Sequence, residues 1–433
     1  MNRIHTFGYD FCGVILSILF IPVNKRFPVF CLAVSLLFTK QAAATDVSVK
    51  GWVVPEYHTI NTASPFALGA GQSGFGKSRT REELELRARA WDVNLVATAA
   101  TTATEQSKPE YAVTINELNY DISLLGERFS FGKKIVSWDV GFGFRPLDLL
   151  QQENRRTIFV TTLEGIPYLS WEKFSGNSAW MLIYTNPGHG MGGVAKNDES
   201  VALKYYLRDG TADWHVVVRL SERHHVEGGA AISTVPLESL EVHASLLYQQ
   251  RYEQKYNSLV GSGGIPLSSS DPMRLYIREH GVKALAGFTL TGESGFSLLG
   301  EAWYDASAYS AEEWRDLKAL AARQAALPRQ GAPVVAVAGN IAYNLRYFDR
   351  PNLLKENLLL RLSHHREGEN WEPALDILCT PADGGLVATA SIAYSGNHFR
   401  VDSGIRQYGG ARGSAYKMLP EERIIYFALQ GFW

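Results

Sequence analysis

Along most of this chain, apolar and polar residues change places every second position. Val201, Leu203, Tyr205 and Leu207 are separated by Ala202, Lys204, Tyr206 and Arg208, and Asp209-Gly210 follows as a two-residue hairpin signal. Trp214, Val216, Val218 and Leu220 then alternate with His215, Val217 and Arg219. The same rhythm runs through Leu240–Tyr248, Phe296–Tyr304, Leu358–Leu362, Leu386–Tyr394 and the closing Ile425–Trp433. A period of two is that of a strand whose side chains point alternately to opposite faces. Short turns are expected at Gly176-Asn177, Asp209-Gly210, Val235–Ser239, Glu293–Gly295 and Thr380–Gly385. Longer connections are expected near 139–163, 187–198, 250–272, 307–332 and 395–421. Counting back from Trp433 predicts sixteen strands if the first lies near Leu84. The count becomes eighteen if Val47–Tyr57 and one further segment are added.

One helix interrupts this pattern. Ser310-Ala311-Glu312-Glu313 is a capping box, Trp314, Leu317 and Ala321 share a face, and Pro328 ends it. It belongs to a loop, over the mouth of a barrel or tucked inside. The apolar faces of the strands often finish on Tyr or Trp, as at a membrane interface, and the opposite faces mix single charges with Ser, Thr, His and Gln. The fold class expected is all-β: a transmembrane antiparallel barrel of about 16–18 strands with long extracellular loops and one short loop helix.

The amino end fits an exported protein. Val23-Asn24-Lys25-Arg26 is basic, Phe27–Phe38 is apolar and Ala42-Ala43-Ala44 is a small-residue cleavage site. Residues 1–44 are expected to be a signal peptide cleaved after Ala44, leaving 45–433 as the barrel. Removal of that leader takes away four Lys/Arg, one Asp, Cys12 and Cys31, leaving 38 basic and 43 acidic side chains and only Cys379. A net charge near −5 argues against a general nucleic-acid binder. A single cysteine excludes an intramolecular disulfide.

The last strand, apolar from Glu422 and ending on Trp433, resembles the closing strand of bacterial outer-membrane β-barrels. That resemblance implies recognition by the barrel assembly machinery. The segment Gly126–Arg156, followed by Leu163-Glu164-Gly165-Ile166-Pro167, is similar to the strand-and-loop signature of porin-like barrels of the alginate-export type. The matching positions are Gly132, Lys133, Trp138, Gly141, Gly143, Arg145, Pro146 and Asp148; Asp139 departs from it, where such barrels more often carry Gly. The likeness covers roughly a tenth of the chain and implies transport or export across the outer membrane.

Alternation assigns a lumen-facing set: Lys204, Arg208, His215, Arg219, Glu241, His243, Glu301, Arg361, Glu372, Asp376, Arg400, Asp402 and Arg406. The charges are mixed, so neither anion nor cation selectivity follows, and alginate is not favoured. Asp139, Arg145, Asp148, Arg155 and Arg156 are the candidate constriction-loop charges, set on a Gly-rich loop that either narrows the pore or is held by salt bridges outside it. Several motifs mislead. Gly71–Ser78 fits a phosphate-binding loop but is followed by strand-like alternation, and Ser414-Ala415-Tyr416-Lys417 lacks the partners of an acyl-serine enzyme. The pairs His224-His225 and His364-His365 point to opposite faces of a strand and suit a metal poorly.

These patterns lead to a porin-like outer-membrane channel for passive passage or export of small solutes, in contact with outer-membrane lipid, without cofactor or metal. Its rivals are a barrel hydrolase of lipid or peptide, with His398 and Ser403 as candidates, and a plugged barrel that binds a partner through its loops.

Overall fold

The computed structural model describes residues 46–71, 76–105, 107–153, 158, 163–186 and 198–433. The leader expected over 1–44, its expected cleavage point, Arg155 and Arg156 lie outside them. The strands are β1 Asp46–Ile60, β2 Ser78–Ala90, β3 Val93–Thr104, β4 Ser107–Leu124, β5 Glu127–Lys134 and β6 Ile166–Ser175. Next come β7 Ser178–Thr185, β8 Ser200–Asp209, β9 Ala212–Ser221, β10 His225–Leu237, β11 Leu240–Asn257 and β12 Met273–Thr291. The set ends with β13 Phe296–Asp305, β14 Glu356–His364, β15 Trp371–Thr380, β16 Gly385–Ser395, β17 Phe399–Gly410 and β18 Glu421–Phe432.

Each strand pairs antiparallel with its neighbours in the chain, and β18 returns to β1, closing an 18-stranded barrel. The seam runs from Lys50↔Phe432 to Ile60↔Glu421 and is finished by reciprocal backbone bonds between Val49 and Trp433 of 2.8 and 2.9 Å. A closed sheet leaves no unpaired edge, the condition a strand must meet in hydrocarbon. The two faces differ as the alternation requires: Leu246 on β11 is 56% exposed while Leu247 is fully buried. Val216, Val218 and Leu220, Leu358, Leu360 and Leu362, and Ile425, Phe427 and Leu429 continue an apolar outer band. Among the described residues no helix is long and apolar enough to cross a membrane.

At the end that holds the termini, the turns are short: 91–92, 125–126, 176–177, 210–211, 238–239, 292–295, 365–370 and 396–398. The tightest use positive φ, as at Leu125 and Gly126 (φ 55 and 80), the twist a two-residue hairpin needs. The opposite end carries the long connections 61–77, 135–165, 186–199, 258–272, 306–355 and 411–420. Three expectations are corrected here. Thr380–Gly385 turns at this second end, not with the short turns. The supposed connection 395–421 contains β17. And the 307–332 loop runs on to 355 because it holds a second helix. The helices are α1 Ala67–Ala70, α2 Ala311–Ala326 and α3 Val334–Leu345. The α2 capping box is complete, with Glu313 N–H donating to Ser310 Oγ at 3.1 Å and Ser310 N–H to Glu313 Oε2 at 2.9 Å.

Candidate functional site

The barrel interior is occupied by two pieces of its own chain. The first is the connection between β5 and β6, which crosses the inside against β6–β13. Apolar side chains set its height: Trp138 and Val136 pack on Tyr168, Ile183, Ala202 and Val217, and Leu147 on Ala231 and Leu247. Phe144 stacks on Trp303 with ring centroids 6.1 Å apart. Carboxylates then collect the backbone donors that an irregular buried segment cannot pair by itself. Glu301 on β13 accepts the N–H of Phe142 and of Gly143, both at 2.6 Å. A Cβ at Gly143 would lie 2.8 Å from a methyl of Leu359 and 3.0 Å from that carboxylate, so any larger residue would have to displace the Leu359 side chain.

Within the loop, Asp148 accepts from Trp138 N–H at 2.7 Å and Ser137 Oγ at 3.0 Å, and Asp139 accepts from Val140 N–H at 2.7 Å and from Leu147 N–H. Burial pushes both carboxyls above the usual carboxylate range, against the pull of those bonds. Arg145 donates to Gly141 O at 2.9 Å and to Ser137 Oγ at 2.9 Å. Asp139, Arg145 and Asp148 are thus brought together inside the barrel, where they hold the shape of the loop. The return of the loop rests on a β-bulge. Val96 pairs with Glu117 and Ala97 with Ile115, which sets Asn116 out of the ladder register, where its side chain donates to Leu163 O at 3.0 Å and its carbonyl accepts Gly165 N–H at 2.8 Å.

The second piece is a helical lid, residues 306–355. Trp314 and Leu317 from α2 and Ile341 from α3 are fully buried, together with Phe66 and Leu353, against Val387, Tyr408 and Ile424 of the wall. A Cβ on Gly69 in α1 would stand 2.6 Å from the backbone nitrogen of Ala342, which fixes how closely α1 and α3 meet. A buried amide chain ties the lid to the wall: Asn257 Nδ2 donates to Asn344 Oδ1, and Asn344 Nδ2 to Gln324 Oε1, both at 2.7 Å.

The remaining charges of the expected lumen set lie on inward registers, mostly bonded to neighbours. Arg219 donates to Asp198 and Glu227 at 2.6 Å, and His243 bridges Glu241 at 3.0 Å and Glu301 at 2.9 Å. Arg219 and Glu301 are each 3% exposed, so neither faces open water. Arg361 meets Asp376 at 2.8 Å and Arg400 meets Glu372 at 2.8 Å, with Asp402 4.0 Å from Arg400; these wall pairs are about a third exposed or less. Arg406 donates to Thr389 Oγ1 at 2.9 Å. Lys204, Arg208 and His215 follow the same inward register on β8 and β9.

Alternation from Leu84 onward overlooked charges on the first strands. Arg81 and Glu83 pair at 2.5 Å, Arg87 and Glu85 at 2.6 Å, and His58 stands between Glu56 and Glu421 at 3.2 and 3.0 Å. The signal was present as charges at every second position from Arg79 to Arg89. Ser403 stands on the outer face beside Ile392 and Phe427, while His398 lies in the 396–398 turn; no hydrogen bond joins them among the described residues. Ser78 opens a strand where a phosphate-binding loop needs a helix, and Ser414 Oγ caps a single turn by accepting Lys417 N–H at 3.4 Å.

Neither a family model nor a curated protein sequence matches the chain. Solved structures do. OccAB1 of Acinetobacter baumannii superposes with a TM-score of 0.52 at 8% identity, covering 90% of this chain and 96% of that one. OccAB2 of the same organism gives 0.50 at 7% identity, covering 90% and 98%. Wzi of Escherichia coli, described as a carbohydrate-binding β-barrel of capsule assembly, gives 0.48 at 8%, covering 94% and 89%. At such identities the likeness is one of fold alone: a closed antiparallel β-barrel.

Proposed function

We propose that the protein is an outer-membrane channel of the porin kind, passing small solutes through a lumen narrowed by the loop between β5 and β6. The observation that carries this reading is the loop itself, folded into a closed barrel and tethered by Glu301. An apolar outer band suits lipid, and wall charges paired across strands suit a wet interior. Export by the leader over 1–44 and assembly through the strand ending at Trp433 complete the reading. The finer likeness to alginate-export barrels gains little from the wall: its arginines stand beside carboxylates, and a polyanion would need an unpaired basic track. A plugged, partner-binding barrel is the second reading, favoured by the core-like burial of the lid.

Planar-bilayer recording separates the two. The purified mature protein should give discrete current steps, and replacing 139–149 by a Gly-Ser link should enlarge them. Silence from both proteins, with heat-modifiable gel mobility proving that the barrels are folded, would remove the channel and leave the plugged barrel.

A further inference from the structure

The Glu301 carboxylate that pins the inward loop is fully buried, and three donors surround it. Two are the loop amides of Phe142 and Gly143, each at 2.6 Å. The third is Nε2 of His243 on β11, at 2.9 Å. The other ring nitrogen of His243 faces Glu241 Oε2 at 3.0 Å. An imidazole with a carboxylate oxygen at each nitrogen needs a proton on both, and only the imidazolium has two. The sheet is shaped for this bridge. His243 and Glu301 stand on either side of β12, and Gly287 is the β12 residue in register with both. A Cβ on Gly287 would collide with the imidazole and stand 2.7 Å from the Glu301 side chain. Other polar groups around the ring are already engaged. From β10, Ser233 pairs with His243 in the ladder and donates to Glu241 Oε1 at 2.8 Å. From the loop, Asp139 lies near Ser245, the next inward residue of β11, and accepts the N–H groups of Val140 and Leu147. From β12, Lys283 stands two inward positions away and opposite the buried Asp305, and Arg361 of β14 is taken up by Asp376. Among the described residues, no lysine or arginine makes an ion pair with Glu241 or Glu301. The charge on His243 is therefore the counter-charge of the buried anion from which the loop hangs. A buried carboxylate stripped of its counter-charge is strongly destabilised.

We propose that His243 is the positioning residue of the inward loop and makes its tether proton-dependent: the imidazolium keeps Glu301 charged with Phe142 and Gly143 pinned to it, and loss of the proton frees this stretch of the loop. The charge on a histidine is present at low pH and lost as pH rises, so the loop is held on the acid side and released on the alkaline side. Such regulation of the lumen rests on the channel reading, yet it is read by hydrogen exchange. A barrel that carries no current can still show it, and a conducting barrel can fail it.

The test is amide hydrogen exchange of the detergent-solubilised mature protein between about pH 5 and about pH 9, a range that brackets histidine titration. Each rate is divided by its intrinsic rate at that pH. Protection at Phe142 and Gly143 should fall at least about tenfold as pH rises, the scale of one charge-assisted hydrogen bond, while lid amides such as Leu317 and Ile341 keep theirs. His243→Gln leaves an amide that can still donate to Glu301 but carries no charge. It should give low protection at both ends of the range, with no step between them. His58 and His215 stay in place in that variant, so a step that survives belongs to them. Glu241→Gln removes one of the two carboxylates at the ring and should move the midpoint to lower pH without abolishing the step, an effect that packing alone would not produce. Heat-modifiable mobility checks that both variants are folded. A flat wild-type profile, a step or high protection retained in folded His243→Gln, or an unmoved midpoint in folded Glu241→Gln would each overturn the proposal.

Discussion

The loop and the lid fill one barrel by opposite means. The loop between β5 and β6 is pinned at a few points, where Glu301, Asp139 and Asp148 collect backbone N–H groups and three small apolar clusters set its depth. The lid has a continuous core in which Phe66, Trp314, Leu317, Ile341 and Leu353 have no exposure. Pinned segments can be freed by changing one acceptor, whereas a packed core yields only when its volume is removed. Within one chain, the loop is therefore built to be adjustable and the lid to be fixed.

The largest expected effect lies in the lid. Trp314→Ala removes a fully buried ring whose Nε1 also donates to Leu353 O at 2.6 Å. Truncations of this kind cost about 3–5 kcal/mol. Trypsin should then cleave in the lid at Arg315, Lys318 or Arg323 while the strand barrel keeps its heat-modifiable mobility. Retained resistance would show that the lid does not depend on its core, and the contrast with the loop would be lost.

A smaller effect belongs to the loop. Glu301→Gln replaces a charged acceptor of two N–H groups and of His243 by an amide, at a cost of about 1.5–3 kcal/mol for bonds to a charged group. Hydrogen exchange at Phe142 and Gly143 should rise at least tenfold, with lid amides unchanged. Equal acceleration in lid and loop would mean that the two pieces move as one body.

Alternation revealed the strands wherever one face is apolar, as in Trp214–Leu220 and Ile425–Trp433, and the capping box at Ser310 located α2. The second helix was hidden. Pro333-Val334-Val335 opens it with β-branched residues, and it has no side-chain cap. Arg400, Asp402 and Arg406 marked the inward face of β17, but Gly404, Gly409 and Gly410 interrupt its apolar period, so the same stretch was also counted into a 395–421 connection. Among candidate site residues, facing was legible but use was not. Period two puts Glu301 and Arg219 on the inner face, yet only the path of residues 137–152 shows that Glu301 serves the loop rather than water. Asp139, Arg145 and Asp148 read as pore charges, because nothing in their spacing reveals how many backbone donors they must satisfy.

The smallest effect should come from the wall pair Arg361–Asp376, 2.8 Å apart with side chains 31% and 24% exposed. Partial exposure to water screens such a pair, and measured couplings of exposed pairs are about 0.2–1 kcal/mol. A double-mutant cycle of Arg361→Gln and Asp376→Asn, read by urea unfolding in detergent, should give a coupling in that range. The loop does approach this pair, since the Arg361 guanidinium lies 5.4 Å over the Phe142 ring. If Phe142 shields the pair from water, the coupling rises, because the same charges attract more strongly in a lower dielectric. A coupling of about 3 kcal/mol would mean that the loop buries this side of the wall as thoroughly as the lid buries the other. The loop would then be a second plug rather than an adjustable constriction.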